Sequence, residues 1–142
     1  MNHRLIWSIL CVVCLAACSA GEKGLSVTEA WARPGNAGGN SAAYFIIQNP
    51  TGEDDTLLSA SSQAAKFVEL HLSKMDEEGV MAMIQQESIP VPAGEKVELK
   101  PGGLHVMLIE LAEDLRAGDT IALTLQFEKA GTIELQATVR QP

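Results

Sequence analysis

Cysteine is missing from most of this 142-residue chain. Cys11, Cys14 and Cys18 all lie near the N-terminus, so residues 19–142 can form no internal disulfide and must draw their stability from a packed core. Aromatic residues make up only 4% of the chain, which leaves few rings for stacking bases or sugars. Positive charge is scarce as well: 10 Lys and Arg stand against 18 Asp and Glu, a net charge of -8, and no basic cluster is visible. Neutralisation of a phosphate backbone is therefore excluded as a main source of binding energy, and no nucleic-acid partner is expected. The one long apolar run, Leu5 to Ala17, is too short to span a bilayer comfortably as a helix. Apolar residues at 46% and charged residues at 20% are otherwise ordinary for a folded protein, and the length suits one domain.

The N-terminus has the order of a secretory signal: one charge at Arg4, the apolar run, then Cys18 and the small polar stretch Ser19 to Gly24. Leu15-Ala16-Ala17-Cys18 resembles a bacterial lipobox, which implies cleavage before Cys18 and lipidation of its thiol. The expected organisation is a signal peptide over 1–17, a lipidated tether over 18–24 and a folded domain over 25–140. That domain would be membrane-anchored in the cell envelope, facing the periplasm, with Ser19 permitting outer-membrane sorting in a Gram-negative host. Cys11-Val12-Val13-Cys14 has redox or metal spacing, but it sits inside the removable apolar segment and lacks the histidine of a haem-attachment motif. Removing residues 1–17 leaves 125 residues with a charge near -9.

Short apolar or alternating runs then recur between turns. They cover 25–32, 42–48, 66–72, 80–85, 96–99, 104–110, 120–127 and 132–139, with Gly, Pro, Asn or Asp between most of them. Strands of this length and rhythm predict an all-β sandwich or barrel. Period two is cleanest in Ile121, Leu123, Leu125 and Phe127, and in Ile133, Leu135, Ala137 and Val139 across Lys129-Ala130-Gly131, which predicts a core hairpin. Residues 59–65 could make a helical turn, and Ser73 to Gly79 reads as a loop. The glycine-rich run 35–39 lacks the spacing of a phosphate-binding loop.

Chemistry concentrates in one stretch. Beyond the signal segment the chain has two histidines, His71 and His105, and four methionines, Met75, Met81, Met83 and Met107, all within 37 residues. Methionine used only as core filler would scatter among the other strands. Residues two apart on a strand share a face, so His105 and Met107 share one, with Leu104, Val106 and Leu108 on the other. The same count sets Met81 and Met83 opposite Val80, Ala82 and Ile84, and Phe67, Glu69 and His71 opposite Val68, Leu70 and Leu72. Three strands each present His or Met away from an aliphatic row expected to face the core.

Imidazole and thioether together favour a soft cation, and Cu(I) is the natural guest. Blue-copper electron transfer needs a cysteine thiolate, which the domain lacks, so storage or transfer of copper is the expected use. No acid/base pair accompanies the cluster, and no enzymatic activity is expected.

His71, Met83 and His105-Val106-Met107 resemble the HMx10Mx21HxM signature of the periplasmic copper chaperones called PCuAC. Further phrases are similar to that family, among them Ala30-Trp31-Ala32-Arg33, Val68-Glu69-Leu70-His71, Gly79-Val80-Met81-Ala82-Met83 and Lys100-Pro101-Gly102-Gly103-Leu104-His105-Val106-Met107. The resemblance covers about residues 25–140. It implies a cupredoxin-like Greek-key β-barrel that binds Cu(I) through two His and two Met, here His71, Met83, His105 and Met107. It also implies delivery of copper to an acceptor, a cytochrome c oxidase subunit or assembly factor. An envelope copper buffer with the same site and no dedicated acceptor is the alternative. One departure is Leu72, where the signature has methionine; strand parity points that side chain toward the core, so no ligand is expected to be lost. The His/Met-rich C-terminal tail of some relatives is absent before Gln141-Pro142.

Overall fold

The computed structural model describes residues 23–142. The proposed signal peptide and Cys11, Cys14 and Cys18 lie outside the described residues. Those residues form ten strands, and no helix among them is long and apolar enough to cross a membrane. The strands are β1 (Ser26–Ala32), β2 (Ser41–Gln48), β3 (Asp55–Ser61), β4 (Ala65–Met75), β5 (Met81–Gln86), β6 (Ile89–Val91), β7 (Lys96–Glu98), β8 (Leu104–Leu111), β9 (Thr120–Phe127) and β10 (Gly131–Val139).

They pair in the order β5-β4-β8-β2-β1-β10-β9-β3-β6, with β7 beside β2. Every pairing is antiparallel except β1 with β10, where Trp31 faces Thr138 and Ala32 faces Val139. Consecutive strands β3 and β4 lie near opposite ends of this order, yet only residues 62–64 join them and they touch. The sheet must therefore curl back on itself around a single core, which gives the all-β sandwich or barrel expected from the sequence. One continuous cluster fills it, with Phe45 and Ile47 from β2, Leu57 from β3, Val106 and Leu108 from β8, Leu123 and Leu125 from β9, and Val139 from β10.

The C-terminal hairpin follows its alternation. Ile121 pairs with Ala137, Leu123 with Leu135 and Leu125 with Ile133, and Ile121, Leu123, Leu125 and Phe127 are all buried. Gly131 closes the turn at φ +78°, a conformation that costs glycine little and other residues more. Gly35 serves packing: a Cβ there would stand 2.7 Å from Leu111 Cδ1, and its backbone bridges to Leu115 through two hydrogen bonds.

Four local expectations change. Residues 59–65 make no helical turn, since Ser59 to Ser61 complete β3 and Ala65 begins β4. Residues 73–75 are strand, not loop, because β4 continues its ladder with β5 as far as the Met75–Met81 pair. Strands β3 and β6 were not among the expected runs. Finally, Val80 and Ile84 do not face the core. β5 is the last strand of the sheet, with β4 as its one neighbour and no second layer over it, so Met81 through Gln85 are all exposed.

Candidate metal site

The outward face of β4, β5 and β8 is set by register. His71 pairs directly with His105, Glu69 with Met107, and Ser73 with Met83. Directly opposed residues on antiparallel strands point to the same side, so His71, His105, Met83 and Met107 share one face. His71 is central. Met83 and Met107 each sit one strand across and two residues along from it, in opposite directions, within reach of long side chains. Beneath this face, Val106 and Leu108 are fully buried and Leu70 nearly so, which anchors β8 and β4 to the core.

The two imidazoles lie with ring centroids 5.8 Å apart. His105 Nδ1 is 3.0 Å from the Gly103 carbonyl oxygen, and His71 Nε2 is 2.7 Å from Glu69 Oε2. A carbonyl and a carboxylate can only accept, so in the neutral rings His105 carries its proton on Nδ1 and His71 carries its proton on Nε2. The remaining nitrogens, His105 Nε2 and His71 Nδ1, are each buried without a hydrogen-bond partner. Buried polar atoms are rarely left so, and two on adjacent rings are the strongest local signal of a missing partner. The arrangement matches a metal-binding histidine, whose second nitrogen is held by a carbonyl or carboxylate that fixes the tautomer.

Burial pushes the His105 imidazole below its ordinary value of 6.5; the Gly103 carbonyl opposes this shift, and His71 nearby adds to it. His105 is therefore neutral near pH 7, the form that can donate a lone pair.

A recess of about 540 Å³ opens over the face, lined by Tyr44, Ser73, Met81, Met83, His105 and Met107 among others. Tyr44, from β2, lines the recess and approaches His105 at 6.3 Å; it packs at a tilt on Trp31 at 4.6 Å, and the Arg140 guanidinium covers the Trp31 ring at 4.1 Å. A larger recess of about 850 Å³ on β3, β9 and β10 includes Ser62, Gln63, Thr124, Glu134 and Gln136, with no histidine or methionine in its lining.

Met107 is partly buried, whereas Met83 on the edge strand is 59% exposed. Leu72 pairs with Leu104 and Ile84; it is only partly buried and lies outside the central core cluster, shallower than parity alone suggested. Glu69 and Tyr44 were not anticipated as parts of the site. Glu69 had a legible signal, a carboxylate two residues before a histidine on the same strand face. The contact of Tyr44 depends on the β2–β8 pairing, which no local pattern encodes.

Fold and site together define an all-β domain with a soft-donor face of imidazole and thioether. Residues 25–139 match the family described as "Putative lipoprotein LpqE-like", and the chain belongs to that family. Among its relatives, the "Putative lipoprotein Lxx21020" of Leifsonia xyli subsp. xyli is 31% identical over 118 residues, covering 82% of this chain and 70% of that protein. The "Uncharacterized protein RP573" of Rickettsia prowazekii is 32% identical over 112 residues, covering 75% of this chain and 61% of that protein. The solved structure of the apo PCuAC domain from PmoF1 superposes with a TM-score of 0.70 at 26% identity, covering 86% of this chain and 98% of that one. The solution structure of CuI-DR1885 from Deinococcus radiodurans gives a TM-score of 0.62 at 28% identity, covering 88% and 85%. The PCuAC resemblance read from the sequence is borne out in fold and family.

Proposed function

We propose that this protein is a Cu(I) chaperone of the cell envelope that holds the ion with His71, Met83, His105 and Met107 and passes it to an acceptor protein. The observation that carries this reading is the pair of buried, partnerless nitrogens, His71 Nδ1 and His105 Nε2, on the same face as Met83 and Met107. Two imidazoles and two thioethers form a neutral, soft donor set suited to Cu(I). The Cu(I)-bound state of the similar Deinococcus domain supports the same cargo. Neutral donors leave the ion's charge uncompensated, so exchange to an acceptor with competing soft ligands involves no charge separation at this site.

The acceptor in this reading is a cytochrome c oxidase subunit or assembly factor. Residues 1–17 are removed as a signal peptide, Cys18 carries the lipid, and residues 18–24 tether the domain at the periplasmic side, on the outer membrane in a Gram-negative host. Anaerobic competition with a Cu(I) chelator, using wild type and the His71→Ala, Met83→Leu, His105→Ala and Met107→Leu variants, tests the site. One tightly bound equivalent, weakened by each substitution, is expected. Binding as tight as wild type in the His71→Ala/His105→Ala double substitution would overturn it. Transfer of Cu(I) to purified oxidase subunits tests the acceptor, and a deletion that spares the oxidase while lowering copper tolerance would favour a buffer.

A further inference from the structure

Two methionines remain outside the four-donor set. Met75 and Met81 oppose each other directly at the end of the β4–β5 ladder and are 60% and 50% exposed. Neither belongs to the core, so packing does not account for them. The ladder runs without irregularity from Leu70–Gln86 to Met75–Met81, so both side chains fall on the face that carries His71 and Met83. Along the strands the pair lies two residues beyond Met83, about 7 Å at the usual rise. Met81 also lines the recess that holds Met83, His105 and Met107, which makes the outer pair continuous with the inner face.

The turn beyond the pair carries Asp76, Glu77 and Glu78, all exposed. Asp76 Oδ1 accepts the Val80 backbone N–H at 2.7 Å, which fixes the turn and holds the two strand ends in register. Glu77 and Glu78 place negative charge beside two neutral sulfurs, which raises the local concentration of a cation without supplying soft ligands of their own.

We propose that Met75 and Met81 form an outer two-thioether site for Cu(I), through which the ion enters and leaves the inner site; this rests on the Cu(I) reading above. Two sulfur donors on an open edge strand hold the ion loosely and leave its other side free for a partner's ligand. Moving inward exchanges one Cu–S bond at a time, first to Met83 and then to the imidazoles and Met107. All these donors are neutral, so the step transfers no proton or electron.

The test uses the full protein labelled with methyl-13C methionine and titrated anaerobically with Cu(I) alone. The first equivalent is expected to shift the Met83 and Met107 methyl resonances and the second those of Met75 and Met81. Met75→Leu/Met81→Leu, with folding checked by circular dichroism, should abolish the second step and slow uptake from a Cu(I)–chelator complex several-fold. Val80→Ala, which removes apolar surface at the same tip but no sulfur, should leave uptake at the wild-type rate. A second equivalent that leaves the Met75 and Met81 methyls unmoved would overturn the proposal, as would equal slowing by Val80→Ala. Failure of the first equivalent to move Met83 and Met107 would instead strike the inner site, so the two readings fail separately.

Discussion

Replacing Glu69 tests whether the site depends on a prepared histidine. Glu69 Oε2 lies 2.7 Å from His71 Nε2, and the side chains are 34% and 13% exposed. In Glu69→Leu the Nε2–H loses its acceptor, and the ring no longer favours the tautomer whose lone pair lies on the buried Nδ1. Loss of such an outer partner usually weakens metal binding by about 10- to 100-fold. Water can reach a third of the Glu69 side chain and replace part of the lost bond, so the low end applies: about tenfold, or about 1.4 kcal/mol. Glu69→Gln keeps an acceptor oxygen at the same reach and loses only the charge, so its loss should be smaller. Anaerobic chelator competition reads the affinities, and 15N chemical shifts of His71 read the tautomer directly. The reasoning is refuted if Glu69→Leu binds Cu(I) within twofold of wild type, or if the His71 tautomer is unchanged in that variant.

Met83→Leu and Met107→Leu should each lower Cu(I) affinity while costing less than about 1.5 kcal/mol of stability, because volume is nearly conserved; urea denaturation beside the competition assay checks both. Cu(I) affinity should decline as pH falls, since protons compete for the imidazoles. Because burial holds His105 below 6.5, its contribution should persist somewhat under that pH, and the depressed value also means that stability linked to His105, complete above 6.5, is lost as pH falls further. A titration of apo-protein stability showing no loss on acidification would contradict that sign. Asp55 is buried and accepts backbone N–H groups from Thr56, Lys129 and Ala130 at 2.7, 2.9 and 2.8 Å; these bonds outweigh burial, which acts to raise its pKa, and hold it below the usual carboxylate value. Asp55→Ala should therefore cost about 2–3 kcal/mol in denaturant unfolding and leave Cu(I) affinity unchanged. Cys18→Ala should abolish metabolic labelling with a fatty acid and release the protein from the membrane.

The fold was legible where side chains alternate cleanly. In β9 the alternate residues are buried along the whole strand, and in β10 Ala137 and Val139 are buried while Ile133 and Leu135 pack against the core, so period two in the sequence maps onto two faces in space. It was not legible in β3, where Asp55, Thr56, Ser59 and Ser61 dilute the apolar signal, or in β6, three residues built around Pro90. A proline is tolerated there because β6 closes the sheet and one of its sides needs no ladder partner. The face carrying His71, His105 and Met107 followed from parity, since Leu70 on β4 and Val106 and Leu108 on β8 are buried on the opposite side. Parity failed for β5 because burial depends on what lies over a strand, and its edge position is a property of the whole topology. The partnerless nitrogens also lay beyond the sequence, because they depend on which ring atom meets Gly103 and Glu69.

The parallel pairing of β1 with β10 sets the order in which this chain can become a protein. The first strand lies between the second and the last, so a chain still short of Val139 leaves one flank of β1 open. Most of the remaining ladders also join distant segments, and such closures form slowly compared with local ones. A nascent copy that lacks β10 therefore cannot close the sheet around its core, and the burial that stabilises the first strand is completed only when the last one docks beside it.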